Sequence, residues 1–150
     1  MSRERRARRR PRIVIVASRF NESVTKALAA GAVDACRRRG IAPSAIRTLW
    51  VPGAFELPVA AAQAAARLKP KAIVAVGCVI KGETSQYAAI GQAVAGGLAQ
   101  VSVSSKIPVG FGVIVAESFD QATARAGGPR GNRGAEAADA ALEMAGFGKR

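Results

Sequence analysis

Short apolar runs alternate with longer stretches of helical periodicity along most of the chain. The apolar runs occupy residues 13–17, 46–51, 72–80 and 108–115. Apolar positions at helical spacing follow at residues 24–35, 55–68, 87–103, 119–126 and 135–145. Short continuous apolar runs are typical of buried parallel strands, and the longer periodic stretches are typical of helices. The alternation predicts an α/β fold with a four-stranded parallel sheet covered by helices on both faces.

Four loops follow the predicted strands, at residues 18–21, 52–56, 79–86 and 115–118. Ligands of open parallel sheets bind beyond the carboxyl ends of the strands, so these loops are the candidate site. The third loop combines Gly82 with the hydroxyls of Thr84 and Ser85 at a helix start. This combination fits an anion site, although either hydroxyl could instead cap the helix. Neither GxxxxGK[ST] nor GxGxxG occurs in the chain.

Five other side chains have both a structural and a functional interpretation. Glu56 begins a predicted helix, where the dipole stabilises a carboxylate. Phe20 and Phe111 lie near strand ends, where a ring either packs in the core or stacks on a flat heterocycle. Arg125 and Arg133 flank a glycine-rich turn at residues 127–134, either as dipole partners or as a fork for phosphate. Taken singly, none of these residues identifies a reaction.

The composition fits one domain with a core of small aliphatic residues. Of 150 residues, 49% are hydrophobic but only 5% aromatic, which favours an Ala, Val, Ile and Leu core. Cys36 and Cys78 lack any metal-binding spacing, so we expect buried free thiols and no metal. No apolar run reaches the length of a membrane span, and we expect a cytoplasmic protein without membrane contact.

Positive charge is concentrated at the amino terminus. The net charge is +13, and residues 1–12 contain seven arginines against the single Glu4. We expect a disordered basic tail at residues 1–12, followed by a single domain at 13–150. Such a tail is either a solvated extension or a non-specific ligand of polyanions such as nucleic acid. No aromatic residue is interleaved for base stacking.

Five motifs, taken together and in order, closely resemble the 6,7-dimethyl-8-ribityllumazine synthase family. They are SRFN at 18–21, VPGAFELP at 51–58, GCVIKGET at 77–84, PVGFGV at 108–113, and RAG at 125–127 with GNRG at 131–134. The resemblance runs from about Ile13 to Ala145 without a large gap. It implies a flavodoxin-like three-layer α/β/α sandwich that assembles into pentamers or larger icosahedral shells, with active sites between adjacent subunits.

The resemblance also implies a reaction of riboflavin biosynthesis. In this family, 5-amino-6-ribitylaminouracil condenses with 3,4-dihydroxy-2-butanone 4-phosphate, releasing inorganic phosphate and water. No cofactor or metal is implied. The residues that would bind the two substrates are, by similarity, Phe20, Ala54, Phe55, Glu56, Cys78, Val79, Ile80, Glu83, Thr84, Phe111 and Arg133.

Among these residues the resemblance implies distinct roles. Phe20 would stack on the pyrimidine, and Glu83 and Thr84 would cradle the phosphate. Arg125, from across the subunit interface, would clamp the same phosphate beside Phe111. Gln86 and Arg125 are the two positions implied in catalysis.

The chain departs from the family pattern at several positions. Gln86 stands where the family has a histidine thought to carry protons, and the chain contains no histidine at all. Ala88 replaces an acidic residue, Arg133 replaces the usual lysine, and Val115-Ala116 replaces a pair of threonines. Two hypotheses follow: a lumazine synthase that is slow but active, or a weak or inactive relative that serves as a shell-forming scaffold or ligand-binding module.

Overall fold

The computed structural model describes residues 10–148, and over this range the predicted order of strands and helices is confirmed. The strands are β1 Ile13–Ser18, β2 Ile46–Val51, β3 Ala72–Ile80 and β4 Val109–Ala116. The helices are α1 Glu22–Arg38, α2 Leu57–Leu68, α3 Gln86–Ser105, α4 Phe119–Ala124 and α5 Arg133–Met144. Single 3-10 turns at Pro43–Ala45 and Ala54–Glu56 precede β2 and α2.

The four long strands form one parallel sheet in the order β2-β1-β3-β4. Ile13 lies opposite both Ile46 and Ala72, so the strands are aligned at their amino ends. This order, with helices on both faces, is the predicted flavodoxin-like arrangement. The carboxyl ends of all four strands therefore meet at one edge of the sheet, where the four loops converge.

Each face of the sheet has its own core. Ile13, Ile15 and Ala17 of β1 pack with α1 and α5, whereas Val14 and Val16 pack with α2 and α3. All six residues of β1 are buried, which explains why the strand is continuously apolar instead of alternating. Alanines supply much of both cores, as the composition predicted.

The glycine-rich segment is more ordered than the predicted turn. It contains a short antiparallel hairpin, β5 Ala126–Gly128 and β6 Gly131–Asn132, and α5 begins at Arg133, two residues earlier than predicted. Gly127 and Gly131 have φ values of 100° and 84°, which favour glycine. Asn132 fixes the start of α5: its Oδ1 accepts from the Ala135 amide at 3.0 Å, and its Nδ2 donates to the Ala27 carbonyl at 3.0 Å.

The two ends of the described chain meet at the amino edge of the sheet. The Arg12 amide donates to the Ala45 carbonyl at 2.8 Å, and the Arg12 guanidinium lies 4.8 Å from the centre of the Phe147 ring. Buried Arg39 donates to Asp139 Oδ1 at 3.1 Å and to the Phe147 carbonyl at 2.6 Å. Residues 1–9 of the predicted basic tail lie outside the described residues.

Within residues 10–148, no helix combines the length and the apolar character that crossing a membrane requires. The same residues contain no cluster of His, Cys, Asp and Glu side chains suited to a metal ion. Cys36 and Cys78 are free and buried, which confirms the prediction made for the two thiols.

Candidate active site

A cavity of about 340 Å³ opens at the carboxyl edge of the sheet. The loops after β1, β2 and β3 and the first turns of α3 form its walls. Nine of the residues implied by the resemblance line it: Phe20, Ala54, Phe55, Glu56, Cys78, Val79, Ile80, Thr84 and Gln86. Residues from three separate segments of the sequence therefore meet around one space.

Backbone hydrogen bonds fix the loops after β1 and β2. The Arg19 amide donates to the Val51 carbonyl at 2.8 Å, and the Phe20 amide donates to the Pro52 carbonyl at 3.1 Å. Asn21 adopts a left-handed conformation (φ 61°), and its Nδ2 donates to the Cys78 carbonyl at 3.1 Å. The segment that carries Phe20 is thus held on both sides, by the loop after β2 and by the end of β3.

Two aromatic rings at this cavity face solvent. Phe20 is 70% exposed and Phe55 is 66% exposed, although the chain has only five phenylalanines. Exposing a large ring forfeits the free energy of its burial, so adjacent exposed rings are typical of a binding surface. A flat heterocycle is the ligand that such rings stack on.

Glycines permit close packing beneath and beside the cavity. A Cβ at Gly77 would lie 2.9 Å from Leu57 Cδ1 and 3.0 Å from the hydroxyl oxygen of buried Ser18, so a larger residue would displace the cavity floor. A Cβ at Gly53 would lie 3.2 Å from Glu56 Oε1. The Glu56 carboxylate therefore folds back over Gly53, within the wall of the cavity.

The loop between β3 and α3 leaves its polar groups free for a ligand. The Ser85 side chain makes no capping hydrogen bond, and the Gln86 amide donates to Thr84 Oγ1 only at a long 3.4 Å. These contacts are weak for a cap, so the observed geometry favours the anion-site interpretation of this loop. The negative charge of a phosphate suits the amino end of a 20-residue helix.

Cys78 lines the cavity but is not a nucleophile. Burial raises the pKa of its thiol from 9.0 to about 11, so the group stays protonated near neutral pH. A neutral thiol is a poor attacking group and a poor proton donor. Its contribution to the wall is therefore packing, together with the carbonyl that Asn21 holds.

Four of the implied residues do not line this cavity. Glu83 is exposed beside it, although its neighbours Gly82 and Thr84 are part of the wall. Phe111, 42% exposed, lines a different cavity with Lys106 and Met144.

The remaining two, Arg125 and Arg133, lie together at the β5–β6 hairpin. The Arg133 amide donates to the Arg125 carbonyl at 2.8 Å. The Arg125 guanidinium donates to the Gln121 carbonyl at 3.1 Å, and the Arg133 guanidinium lies 3.6 Å from Glu136. Within one subunit, both cations are outside the cavity.

Four further lining residues are Gly53, Gly82, Tyr87 and Ile90. Gly82 belongs to the predicted anion-site loop and Gly53 to the predicted loop 52–56, but no lining role was predicted for Tyr87 or Ile90. Tyr87 and Ile90 were interpreted as part of the apolar face of a helix. Their spacing does fit a helix, and both side chains pack partly against the core, but the first turn of α3, which begins at Gln86, also borders the cavity. The available signal was the position of both residues immediately after the polar loop.

The chain is similar to known proteins over most of its length. Residues 10–149 match the family model of 6,7-dimethyl-8-ribityllumazine synthase. The chain is also 50% identical, over 133 residues, to the 6,7-dimethyl-8-ribityllumazine synthase of Gemmatimonas aurantiaca. That alignment covers 89% of this chain and 81% of the relative.

Proposed function

Because the chain belongs to the 6,7-dimethyl-8-ribityllumazine synthase family, we propose that it condenses 5-amino-6-ribitylaminouracil with 3,4-dihydroxy-2-butanone 4-phosphate in the cavity at the carboxyl edge of its sheet. The protein is then a transferase of riboflavin biosynthesis. The observation that carries the proposal is the convergence of exposed Phe20, the Glu56 carboxylate and the open helix start at Thr84 on one cavity.

Each group has a role that follows from its chemistry. The Phe20 ring stacks on the pyrimidine, and the Glu56 carboxylate accepts hydrogen bonds from ribityl hydroxyls beside Ala54 and Phe55. Main-chain groups of Cys78, Val79 and Ile80 line the ring edge. The polar groups at Glu83 and Thr84 hold the phosphate at the start of α3.

Gln86 orients a substrate or a water molecule by hydrogen bonds but cannot exchange a proton near neutral pH. The catalytic factor usually supplied by general acid–base groups is about 10²- to 10⁴-fold. Holding an amine beside a ketone supplies an effective molarity of up to about 10⁵–10⁸ M, which is the larger effect. The proposed enzyme is therefore slowed by Gln86 but not inactivated.

The test is the steady-state rate of lumazine formation from both substrates, compared with the same mixture without protein. Phe20→Ala should raise KM by about tenfold or more, since stacking on an aromatic ring is worth about 1–3 kcal/mol. Phe119→Ala is the matched control, because Phe119 is also exposed and lies outside the cavity wall. Equal effects of the two substitutions would contradict the proposed stacking role.

A second candidate function is a scaffold or ligand-binding module with little or no catalysis. The replacement of the family histidine by Gln86 supports it. A rate equal to that of the uncatalysed mixture, with substrate still bound by equilibrium dialysis, would favour this candidate over the first.

We also propose that the active unit is a pentamer, in which Phe111 and Arg125 of a neighbouring subunit complete each site, and that pentamers can build a larger shell. The position of both residues outside their own cavity supports a shared site. Arg133 would bind substrate from the same hairpin as Arg125.

We propose the cytoplasm as the location of the protein, because two free buried thiols fit a reducing compartment.

The basic tail is proposed to bind polyanions non-specifically, apart from catalysis. Neutralised phosphates release counterions, so retention of nucleic acid should fall steeply as salt rises. The test compares the full chain with one lacking residues 1–9, which leaves Arg12 and its contacts intact. Equal retention of RNA by both proteins would identify the tail as a solvated extension.

A further inference from the structure

Charge is distributed unequally between the two edges of the sheet. At the carboxyl edge, acidic residues such as Glu22, Glu117 and Asp120 accompany the cations. At the amino edge, exposed cations predominate, and α2 and α3 contain no acidic residue at all. We call this cationic surface the basic edge, and its members are Arg12, Arg37, Arg38, Lys69, Lys71 and Lys106.

Direct contacts link the central members of the basic edge. The Lys71 amide donates to the Arg12 carbonyl at 2.7 Å, so these two residues are adjacent. The Arg12 guanidinium lies on the Phe147 ring, and Arg39, which follows Arg37 and Arg38, holds the Phe147 carbonyl. The cations thus run from the end of α1 across the start of β1 to the end of α2.

Two grooves meet at Lys71. One, of about 890 Å³ between α2 and α3, has Lys69 and Lys71 on its rim. The other, of about 600 Å³ beside β4, has Lys71 and Lys106 on its rim. Cations along a concave surface focus a positive potential more strongly than the same charges on a convex one.

Stabilisation of helix ends accounts for only part of this charge, although Lys69 and Lys106 are the C-cap residues of α2 and α3. Arg37 and Arg38 do lie in the last turn of α1, where a cation complements the dipole. Lys71 and Arg12 lie outside any helix. Within residues 10–148, none of the six forms an ion pair with an acidic side chain, whereas nearby Asp139 is paired with Arg39. Asp34 and Glu143 are the other acidic residues in the final turns at this edge.

We propose that the basic edge is a second binding site, for the phosphodiester backbone of nucleic acid. A chain of phosphates matches an extended row of cations that lack acidic partners. Among residues 10–148, Phe147 is covered by Arg12, and Phe111, in the groove beside β4, is the residue that we assign to a neighbouring active site, so neither ring is free for base stacking. Recognition is therefore through phosphate alone and is indifferent to sequence. The row of cations lies in the folded domain, at the opposite edge from the catalytic cavity of the same chain, and has no role in the proposed reaction. Phe111, in the groove beside β4, is the one lining residue of the two grooves that we also assign to an active site.

The first test measures binding of a short mixed-sequence single-stranded RNA to full-length protein across a salt titration. The variant Lys69→Asn/Lys71→Gln/Lys106→Asn removes three cations, with asparagine chosen where φ is positive. Its control, Lys26→Gln/Arg130→Gln, removes two exposed cations that lie neither at the basic edge nor in the candidate-site loops.

The basic-edge variant should lower the slope of log affinity against log salt by about 2, because each phosphate that a lysine neutralises on single-stranded RNA contributes about 0.7 to that slope. The control should leave the slope unchanged, and both variants should keep the wild-type rate of lumazine formation. Equal slopes for the two variants would overturn the proposal, because the reduced binding would then reflect net charge alone.

The second test needs no substitution. Acylation of lysines in the full-length protein, read by mass spectrometry, should be suppressed by bound RNA at Lys69, Lys71 and Lys106 but not at Lys26 or Lys81. Unchanged labelling of the three basic-edge lysines would overturn the proposal. Lysines that are already unreactive without RNA would also overturn it, since a neighbouring subunit would then cover the surface.

Discussion

At the residue scale, the central feature of the cavity wall is Gln86. Its side chain cannot exchange a proton near neutral pH, whereas the family pattern has a histidine at this position. The wall does contain other ionisable side chains, namely Glu56, Cys78 and Tyr87. Burial keeps the Cys78 thiol protonated, because its pKa is raised to about 11. Glu83, the carboxylate nearest to Gln86 along the chain, does not line the wall. Catalysis here must depend mainly on positioning.

Gln86→His restores a group that can exchange protons at the start of α3. We expect kcat to rise by up to about 10²-fold, with KM changed by less than a few-fold, because histidine adds proton transfer and can replace the hydrogen bond that Gln86 makes. Steady-state kinetics measure both constants. Gln92→His is the control, since Gln92 is exposed on the same helix outside the cavity. An equal gain from both substitutions would contradict the role assigned to position 86.

The two buried thiols predict a specific loss of stability at high pH. Burial raises the pKa of both Cys36 and Cys78 from 9.0 to about 11, and nearby Asp139 adds to the effect at Cys36. The folded state therefore holds these protons more tightly than the unfolded state. The stability they contribute is complete below pH 9 and declines as pH rises towards 11.

Urea unfolding just below pH 9 and again just below pH 11 measures this decline. The variant Cys36→Ala/Cys78→Ala should have lower stability throughout but a shallower decline over that interval. Parallel curves for the two proteins would show that other groups cause the loss.

At the element scale, the packing of α1 against α5 depends on the absence of two side chains. A Cβ at Gly134 would overlap the Leu28 carbonyl, and one at Gly31 would overlap the Asn132 amide that caps α5. The same contact region positions the β5–β6 hairpin and hence Arg125 and Arg133. The close packing of α1 against α5 thereby places Arg125 and Arg133 at the carboxyl edge of the sheet.

Gly134→Ala should destabilise the protein by about 1–3 kcal/mol, since overlap with a backbone carbonyl forces α1 and α5 apart. The gain in helix propensity, about 1 kcal/mol, is too small to offset this in most of that range. Gly96→Ala is the matched control: Gly96 lies in α3, and nothing approaches its Cβ position within 4 Å. That change should stabilise by about 0.5–1 kcal/mol.

Chemical denaturation at one protein concentration measures both changes, which keeps any effect of assembly constant. Destabilisation by both alanines would show that glycine is required for reasons other than the contact with Leu28.

The sequence predicted the strands and the longer helices well because their apolar periodicity is strong. It missed the β5–β6 hairpin, whose strands of three and two residues are too short and too glycine-rich to alternate detectably. Nine implied residues line one cavity because parallel strands bring their loops to one edge. The lining role of Tyr87 and Ile90 was missed, because periodicity does not distinguish a cavity wall from a core.

At the scale of the whole molecule, the parallel sheet separates the proposed catalytic cavity from the proposed nucleic-acid site. The cavity with Phe20, Glu56 and Thr84 opens at the carboxyl edge, and the basic edge lies at the amino ends of the same strands. A substitution that changes the charge at one edge lies a full strand length away from the site at the other edge. Exposed charges beyond about 10 Å are largely screened at moderate salt, so the two sites should tolerate independent mutation.

For the proposed pentamer, light scattering should give a mass of at least five times the 15.4 kDa chain, because its head-to-tail contacts repeat around a closed ring. Arg125→Ala should reduce lumazine formation without changing that mass, whereas a monomer at micromolar concentration would contradict the shared site. Mixing Arg125→Ala subunits with Phe20→Ala subunits gives a sharper test. Some sites in the mixed ring then combine two intact halves, and activity should partly return.

The contact between Arg12 and Phe147 brings the two ends of the folded domain together, so the same elements could be connected in a different order along the chain. Since these residues touch, a short linker from Gly148 back to Arg12 would close the backbone into a ring without disturbing the sheet. New ends could then be cut into the exposed segment at Ala42–Ser44, between α1 and β2. In such a circular permutant β2 would come first and α1 last, while the loops around the cavity would remain uncut.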